Sequence, residues 1–517
     1  MNYTVVSSCE WTYQDQFDYV TASPMISIFA ARGGYASAQI LFRNADGNFK
    51  VYSTGEIEAE VYRLVPVLVE KNPELTPDNA KPHFPERQAP FYVYDCISPL
   101  EKESEVAPDE NGSAAIYVTV NTKNLLPGTH KGCLCAGNIN IIFTVTVFSV
   151  KIPDESLKII MGYNAETASV YHETERGTPE FDELEDKYFA MMRRMRQNML
   201  YAGGVTKEKT GENEYSFDFS EMARFVTRAM AHGFKYFNAP GIGKRKSWKE
   251  STILVNGMPA MSHEAYVYLN QYLPALREFL TKKGWLENFY MGISDEPNAQ
   301  NETEFRALCG LVHRIFPEIK LIDAMAYGNI HGSLDVYVPL NSEFDRHMRE
   351  FESYRSEGTE LWHYVCCVPR EGEYINRFLD YPLLATKYLY WGNYKYDLGG
   401  YLHWSVNHYQ PGQDPFTQNC PEHRNADSGC TLPPGDSHIV YPGKGEPWMS
   451  MRLEAQRESA EEYELFKLLA QTNKKLADTY CNKCFHSFND VEYDPKRYLK
   501  TKRALLETLE ETAAGQA

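Results

Sequence analysis

Up to about residue 152 the apolar positions fall in short alternating or continuous runs. "EIEAEVYRLVPVLVE", "AAIYVTVNT" and "NINIIFTVTVFSVKIP" are rich in β-branched residues and separated by Pro, Gly and Asn. Long helical periodicity is missing there. Such strands need a second apolar face to pack on, which predicts an N-terminal β-sandwich over residues 1–152.

After Pro153 the rhythm becomes strand then helix, repeatedly. "LKIIMGYN" reads as a strand ahead of a helix over 180–199. In "FSEMARFVTRAMAHG" Met222, Phe225, Val226 and Ala229 share one face, and "FKYFNAP" is again a strand. A helix near 262–283 aligns Tyr266, Leu269, Leu273, Leu276 and Leu280, with Pro274 starting or kinking its second half. "FYMGISDEP" follows, then a helix bearing Phe305, Leu308, Val312 and Ile315 and stopped at Pro317. With "IKLIDAMAY", "LDVYVPLN", "ELWHYVCCV" and "GGYLHWSVN" this makes about eight strand units in roughly 290 residues, the scale of a (β/α)8 TIM-like barrel, here 153–447. A doubly wound sheet competes, but no Gly-rich phosphate turn follows the first strand. Residues 448–517 read as a C-terminal helical appendage, with a second helix near 495–511.

A chain of 517 residues exceeds the size at which one core stops growing, in keeping with this multidomain reading. Its 52 basic against 70 acidic residues give a net charge of −18 with no basic stripe, which argues against a nucleic-acid partner. "MNYTVVSSCEWTYQDQ" lacks a basic start followed by an apolar run, and no stretch is long enough for membrane insertion. A cytoplasmic location is therefore expected, unless an export signal precedes the residues given. The 11 cysteines are odd in number and widely spread, as expected of reduced thiols. Cys133 with Cys135, and Cys481 with Cys484 and His486, lack the matched second pair a zinc site needs, so neither a metal nor a cofactor is expected.

The chemistry concentrates in "YMGISDEPN". Phe289, Met291 and Ile293 share the parity that faces the outer helices, while Tyr290, Gly292, Ser294 and Glu296 share the inward one. Asp295 and Glu296 then stand at the C-terminal rim, where barrel enzymes do their chemistry, with Pro297 fixing the backbone behind them. Two close carboxylates resist ionising together, so one stays a neutral acid near pH 7 beside an anion. Paired glycosidase carboxylates otherwise sit on separate elements, and adjacent ones better fit a route in which the substrate's own acetamido group attacks C1. The competing reading has Asp295 capping the next helix and Glu296 in an ion pair. Aromatics and amides at other strand ends would hold a sugar: Tyr163, Asn164, Asn238, Tyr327, Trp362, Tyr364, Trp404 and Asn407. Trp404 shares parity with Leu402 and Val406, which read as outward, so a strained Trp404–Ser405 peptide is expected to turn it inward. His403 and His408 read as scaffold, and Cys366 and Cys367 as pocket-wall thiols without a sequence-adjacent histidine partner.

"SDEPN", "LWHYVCCVP", "GGYLHWSVNHY", "GDSHIVYPG" and "SMRLEAQRESAEEYELFKLL", in that order, resemble glycoside hydrolase family 123 and its relatives sharing domain of unknown function 4091, over roughly 160–475. The resemblance implies a sandwich, a barrel and a C-terminal appendage. It also implies a retaining exo-β-N-acetylgalactosaminidase that works without metal through an oxazolinium-type intermediate. Glu296 would be the general acid/base and Asp295 the residue orienting the acetamide. The aromatics of "LWHYVCC" and "YLHWSVN" would wall the terminal sugar's site, with Tyr364 or Tyr327 donating to the acetamide oxygen. The implied substrate is an oligosaccharide or glycoconjugate ending in β-linked N-acetylgalactosamine. Two alternatives stay open: the same fold acting on another β-glycoside, and a non-catalytic carbohydrate-binding protein.

Overall fold

The structure is a computed structural model that describes residues 1–73, 87–100, 104–246, 250–325, 328–423 and 430–514. The N-terminal part packs a seven-stranded sheet on a five-stranded one. Alternation explains the packing. In the strand Ala114–Asn121, Ile116, Val118 and Val120 enter the core between the sheets. Ala115 and Tyr117, of opposite parity, enter a second core shared with Leu379, Leu383, Met451 and Ala455. The larger sheet is thus buried on both faces, which is why this strand reads as a continuous apolar run.

The central barrel is a ring of parallel strands: Lys158–Met161, Met199–Tyr201, Tyr236–Ala239, Phe289–Met291, Lys320–Met325, Val336–Pro339, an interrupted seventh, and Gly400–His403. The seventh breaks at Trp362 into Glu360–Leu361, which pairs with the sixth strand, and His363–Tyr364, which pairs with the eighth. That break closes the ring, because the eighth strand also pairs with the first. The second strand is one the apolar pattern does not reveal. The helix expected over 180–199 ends earlier, at Arg194. A turn through Arg196, at φ 66°, then leaves only three residues for "MLY".

Between barrel and appendage the chain returns to the sandwich. The hairpin of Tyr441–Pro442 and Pro447–Ser450 extends the seven-stranded sheet, with Met449 opposite Ile97. The expected boundary at 447 falls inside this hairpin. The helix Met451–Cys481 follows, kinked at Asn473, and Pro495–Ala514 packs beside it. Every residue from Met451 to Phe466 is buried, charged ones included, so this half of the helix is a wedge shared by all three regions. Among the described residues no helix is long and apolar enough to cross a membrane.

Candidate active site

The fourth strand places the acids. Phe289, Met291 and Ile293 join the core beneath the outer helices, and Tyr290 enters the barrel interior, as their parity predicts. Past Met291 the chain leaves the sheet. Asp295 and Glu296 both take left-handed backbone conformations, at φ 60° and 38°. For residues with a Cβ this costs on the order of 1–3 kcal/mol each, and it persists only where surroundings over-determine it.

Here they do. Asp323, buried on the fifth strand, accepts with one oxygen the N–H groups of Ile293 and Ser294 at 3.0 Å and of Asp295 at 3.3 Å. The Glu296 N–H donates to the Ala324 carbonyl at 3.0 Å. Arg245 donates to the carbonyls of Asp295 and Glu296 at 3.0 and 3.1 Å. The helix beyond is capped at Asn301, so Asp295 is not its cap.

Electrostatics separates the carboxyls. Asp295 meets solvent, yet it stands in a concave mouth walled by protein. That partial desolvation, then the charges of Glu296 and Asp323, raise it to about 7 against the pull of Arg245. Burial likewise raises Asp323, to about 6, although its three N–H partners favour the anion. Tyr364 donates its hydroxyl to Glu296 Oε1 at 2.5 Å; burial, then the Glu296 charge, push that phenol well up, so it stays a donor. The group expected to serve the acetamide oxygen rests instead on the acid.

The other expected sugar ligands divide. Asn238 stands one residue before the end of the third strand, and its buried Oδ1 has no hydrogen-bond partner among the described residues. Trp404 is half-buried on the rim. Its indole N–H donates to Asp436 Oδ2 at 3.1 Å, beside a concavity of about 310 Å³ shared with Tyr163, Asn164 and His408. Leu402 proves to face the barrel interior, so Trp404 follows its parity inward. The chain simply bends after His403, and the Trp404–Ser405 peptide is not among the cis bonds. Gly162 lies directly under it: a Cβ there would come within 2.1 Å of the Trp404 carbonyl oxygen.

Asn407 is a clamp. Fully buried, it accepts the Asn164 N–H at 2.8 Å and donates to the Asn164 carbonyl at 3.0 Å. Asn164 in turn caps Ala165–Tyr171. Trp362 is a correction: it has no exposed surface, donates to Glu360 at 2.9 Å and plugs the barrel interior. Its ring fills the space where a Cβ on Gly400 would stand, 2.3 Å away. Its place between the two halves of an interrupted strand makes it core, not rim. Tyr327 lies outside the described residues.

Three residues of the mouth were missed. Asp323 had a signal, an acid inside the otherwise apolar "KLIDAM". Arg245 stands in a loop with no pattern. Tyr201 ends the unrecognised second strand with 40% of its surface open; the surrounding walls, then Asp295 and Asp323, keep its phenol protonated. Among the described residues no group of three or more His, Cys, Asp and Glu could hold a metal ion.

None of the curated proteins compared matches the chain. Among solved structures, a family 123 glycoside hydrolase from Clostridium perfringens, which hydrolyses glycolipid glycans, superposes with a TM-score of 0.74 at 14% identity, covering 99% of each chain. At that identity the likeness shows the shared fold. A family 39 glycoside hydrolase from Bacteroides cellulosilyticus WH2 reaches a TM-score of only 0.38 at 11% identity, covering 85% of this chain and 82% of its own. The family model for the glycoside hydrolase 123 catalytic domain matches residues 153–469, more than half of the sequence and the whole ring of strands around the acid pair. With that match, the chain belongs to glycoside hydrolase family 123.

Proposed function

We propose that this glycoside hydrolase is a retaining exo-β-N-acetylgalactosaminidase in which the substrate's 2-acetamido group is the nucleophile. The observation that carries the reading is the adjacent pair itself: Asp295 raised to about 7, and Glu296 held by the Tyr364 hydroxyl. Burial and the neighbouring charges favour the protonated form of Asp295, which makes it the proton reservoir of the pair. An acetamido N–H arriving at Asp295 favours its anion, and the proton is then available to Glu296.

Glu296 protonates the glycosidic oxygen as the C1–O bond breaks, and the acetamide carbonyl oxygen closes on C1. Asp295 balances the positive charge of the oxazolinium ring. Water, losing its proton to the Glu296 carboxylate, then opens the ring at C1, and two inversions give net retention. Asn238, whose buried acceptor has no partner among the described residues, and Trp404, with a half-open ring, supply a polar contact and an aromatic face for the terminal sugar. Galactosamine preference and glycolipid-type substrates rest on the family and on the likeness to the Clostridium perfringens enzyme.

The test is release of 4-nitrophenol from β-glycosides of N-acetylgalactosamine, N-acetylglucosamine, galactose and glucose, with Glu296→Gln alongside. Release from the first alone, lost in the variant, is expected. Equal release from galactose would overturn the acetamido mechanism, since that sugar has no internal nucleophile.

A further inference from the structure

The turn after the seventh barrel strand carries two adjacent cysteines that the proposed mechanism does not use. Cys366 packs into the barrel-interior cluster, and Cys367 sits half-buried at its edge with Trp404. Two bonds hold this turn: the Cys366 backbone N–H donates to the Val368 carbonyl at 2.9 Å, and the Asn376 side-chain amide donates to the Cys366 carbonyl at 3.0 Å.

A histidine distant in sequence completes the cluster. His423 Nε2 stands 3.6 Å from Cys367 Sγ, and the His423 N–H donates to the Cys430 carbonyl at 2.8 Å. The charged groups facing Cys367 are His423, Glu296 and, through its action on both partners, Asp436. The Cys366 S–H, then His423, outweigh burial and Glu296 and bring the Cys367 thiol down to about 5. Cys9, Cys96, Cys309, Cys420 and Cys481 go the other way, pushed up by burial. One thiol at the mouth is thus biased toward its thiolate within reach of an imidazole that its own charge raises, the arrangement that makes a cysteine reactive.

We propose that Cys367, paired with His423 and Cys366, is a reversible S-thiolation site where a low-molecular-weight disulfide forms a mixed disulfide that obstructs the glycan-binding mouth. The Cys367 thiolate attacks one sulfur of the disulfide, forming a new S–S bond as the old one breaks. The departing thiolate takes the proton from the His423 imidazolium and leaves as a neutral thiol. A thiol reductant reverses the exchange. The obstruction clause rests on the proposed glycosidase reading; the chemistry at sulfur does not.

Cystamine is the probe, because its two positive charges suit an acidic mouth. Near pH 6 an ordinary thiol of pKa about 8.5 is almost wholly protonated, whereas Cys367 is not. The lower nucleophilicity of an acidic thiol offsets most of that advantage and leaves a net preference of about ten-fold. Peptide mass mapping of the intact chain should show Cys367 modified about ten-fold faster than Cys133, Cys135 or Cys430. The fraction of glycosidase activity lost should track that adduct, and dithiothreitol should restore it. In His423→Gln the rate at Cys367 should fall several-fold toward that of the other thiols, the Cys366 S–H keeping part of the effect. Labelling of Cys133 or Cys430 ahead of Cys367 in the unaltered protein overturns the proposal, whether or not the variant folds. Full labelling of Cys367 with activity intact overturns the obstruction, and mapping reads the site even if no substrate has been found.

Discussion

Two clusters of carboxylates in this molecule obey opposite proton logic. At the barrel mouth Asp295, Glu296 and Asp323 crowd together, and Asp295 and Asp323 are pushed up toward neutrality. At the junction of the three regions Glu454, buried deeper than the acid pair, accepts from Arg194 at 2.6 Å, Tyr117 at 3.0 Å and Arg457 at 3.1 Å. Burial alone would raise Glu454, but the two guanidiniums win and bring it from 4.5 down to about 2. The difference is what each acid faces. Like charges and backbone N–H groups build a site that can hold and pass a proton; fixed cations build a lock.

The pH consequences have opposite signs. Between about 4 and 7 the folded mouth binds protons that the unfolded chain has released, so rising pH works against it. Glu454 contributes stability that is complete above about 4.5 and is lost as pH falls toward 2, roughly 3 kcal/mol in all.

The comparison breaks most visibly at Glu296. Glu296→Gln should lower kcat/KM by roughly a thousand-fold while leaving urea unfolding almost unchanged, and a loss below ten-fold would remove it as the general acid. Glu454→Gln should do the reverse, costing roughly 3 kcal/mol at neutral pH by removing the anion that Arg194 and Arg457 share, with kcat per folded molecule preserved. If its destabilisation were the same at pH 3 as at pH 7, the lock would not be electrostatic.

Asp323→Ala should blur the distinction, because it frees the N–H groups of Ile293, Ser294 and Asp295, the first two of them buried, and the strained loop with them. We expect a loss of about 2 kcal/mol in thermal unfolding and at least ten-fold in kcat/KM. Stability lost with full activity would show that the loop does not position the acids. The smallest effect is expected of Tyr364→Phe: about a ten-fold fall in kcat, or roughly 1.4 kcal/mol, with melting nearly unchanged. An unaltered kcat would mean that the hydroxyl merely rests on Glu296.

The acid pair was legible in the sequence because the alternation of Phe289, Met291 and Ile293 fixes which way a short strand faces. Asp323 was not used, since pattern shows that an acid interrupts an apolar strand but not which backbone it pins. Trp362 and Trp404 look alike in sequence, each near a strand end among aromatics. Only the break in the seventh strand sends one to the barrel interior, while the bend after His403 leaves the other at the rim. "MLY" is too short to register as a strand, and Tyr201 was lost with it. The pairing of Cys367 with His423 crosses 56 residues and depends on the ring being closed. The sandwich, the barrel and the C-terminal helices were readable in outline, but the charges of Met451–Cys481 gave no sign that its first half is buried.

The most direct test of the shared proton is the pH dependence of kcat/KM on 4-nitrophenyl β-N-acetylgalactosaminide. A fall by one decade per pH unit beginning near 7, the value to which Asp295 is raised, is the predicted result. Activity that stays level to about pH 9, or that declines from about 4 as ordinary carboxylic acids would impose, would contradict the account.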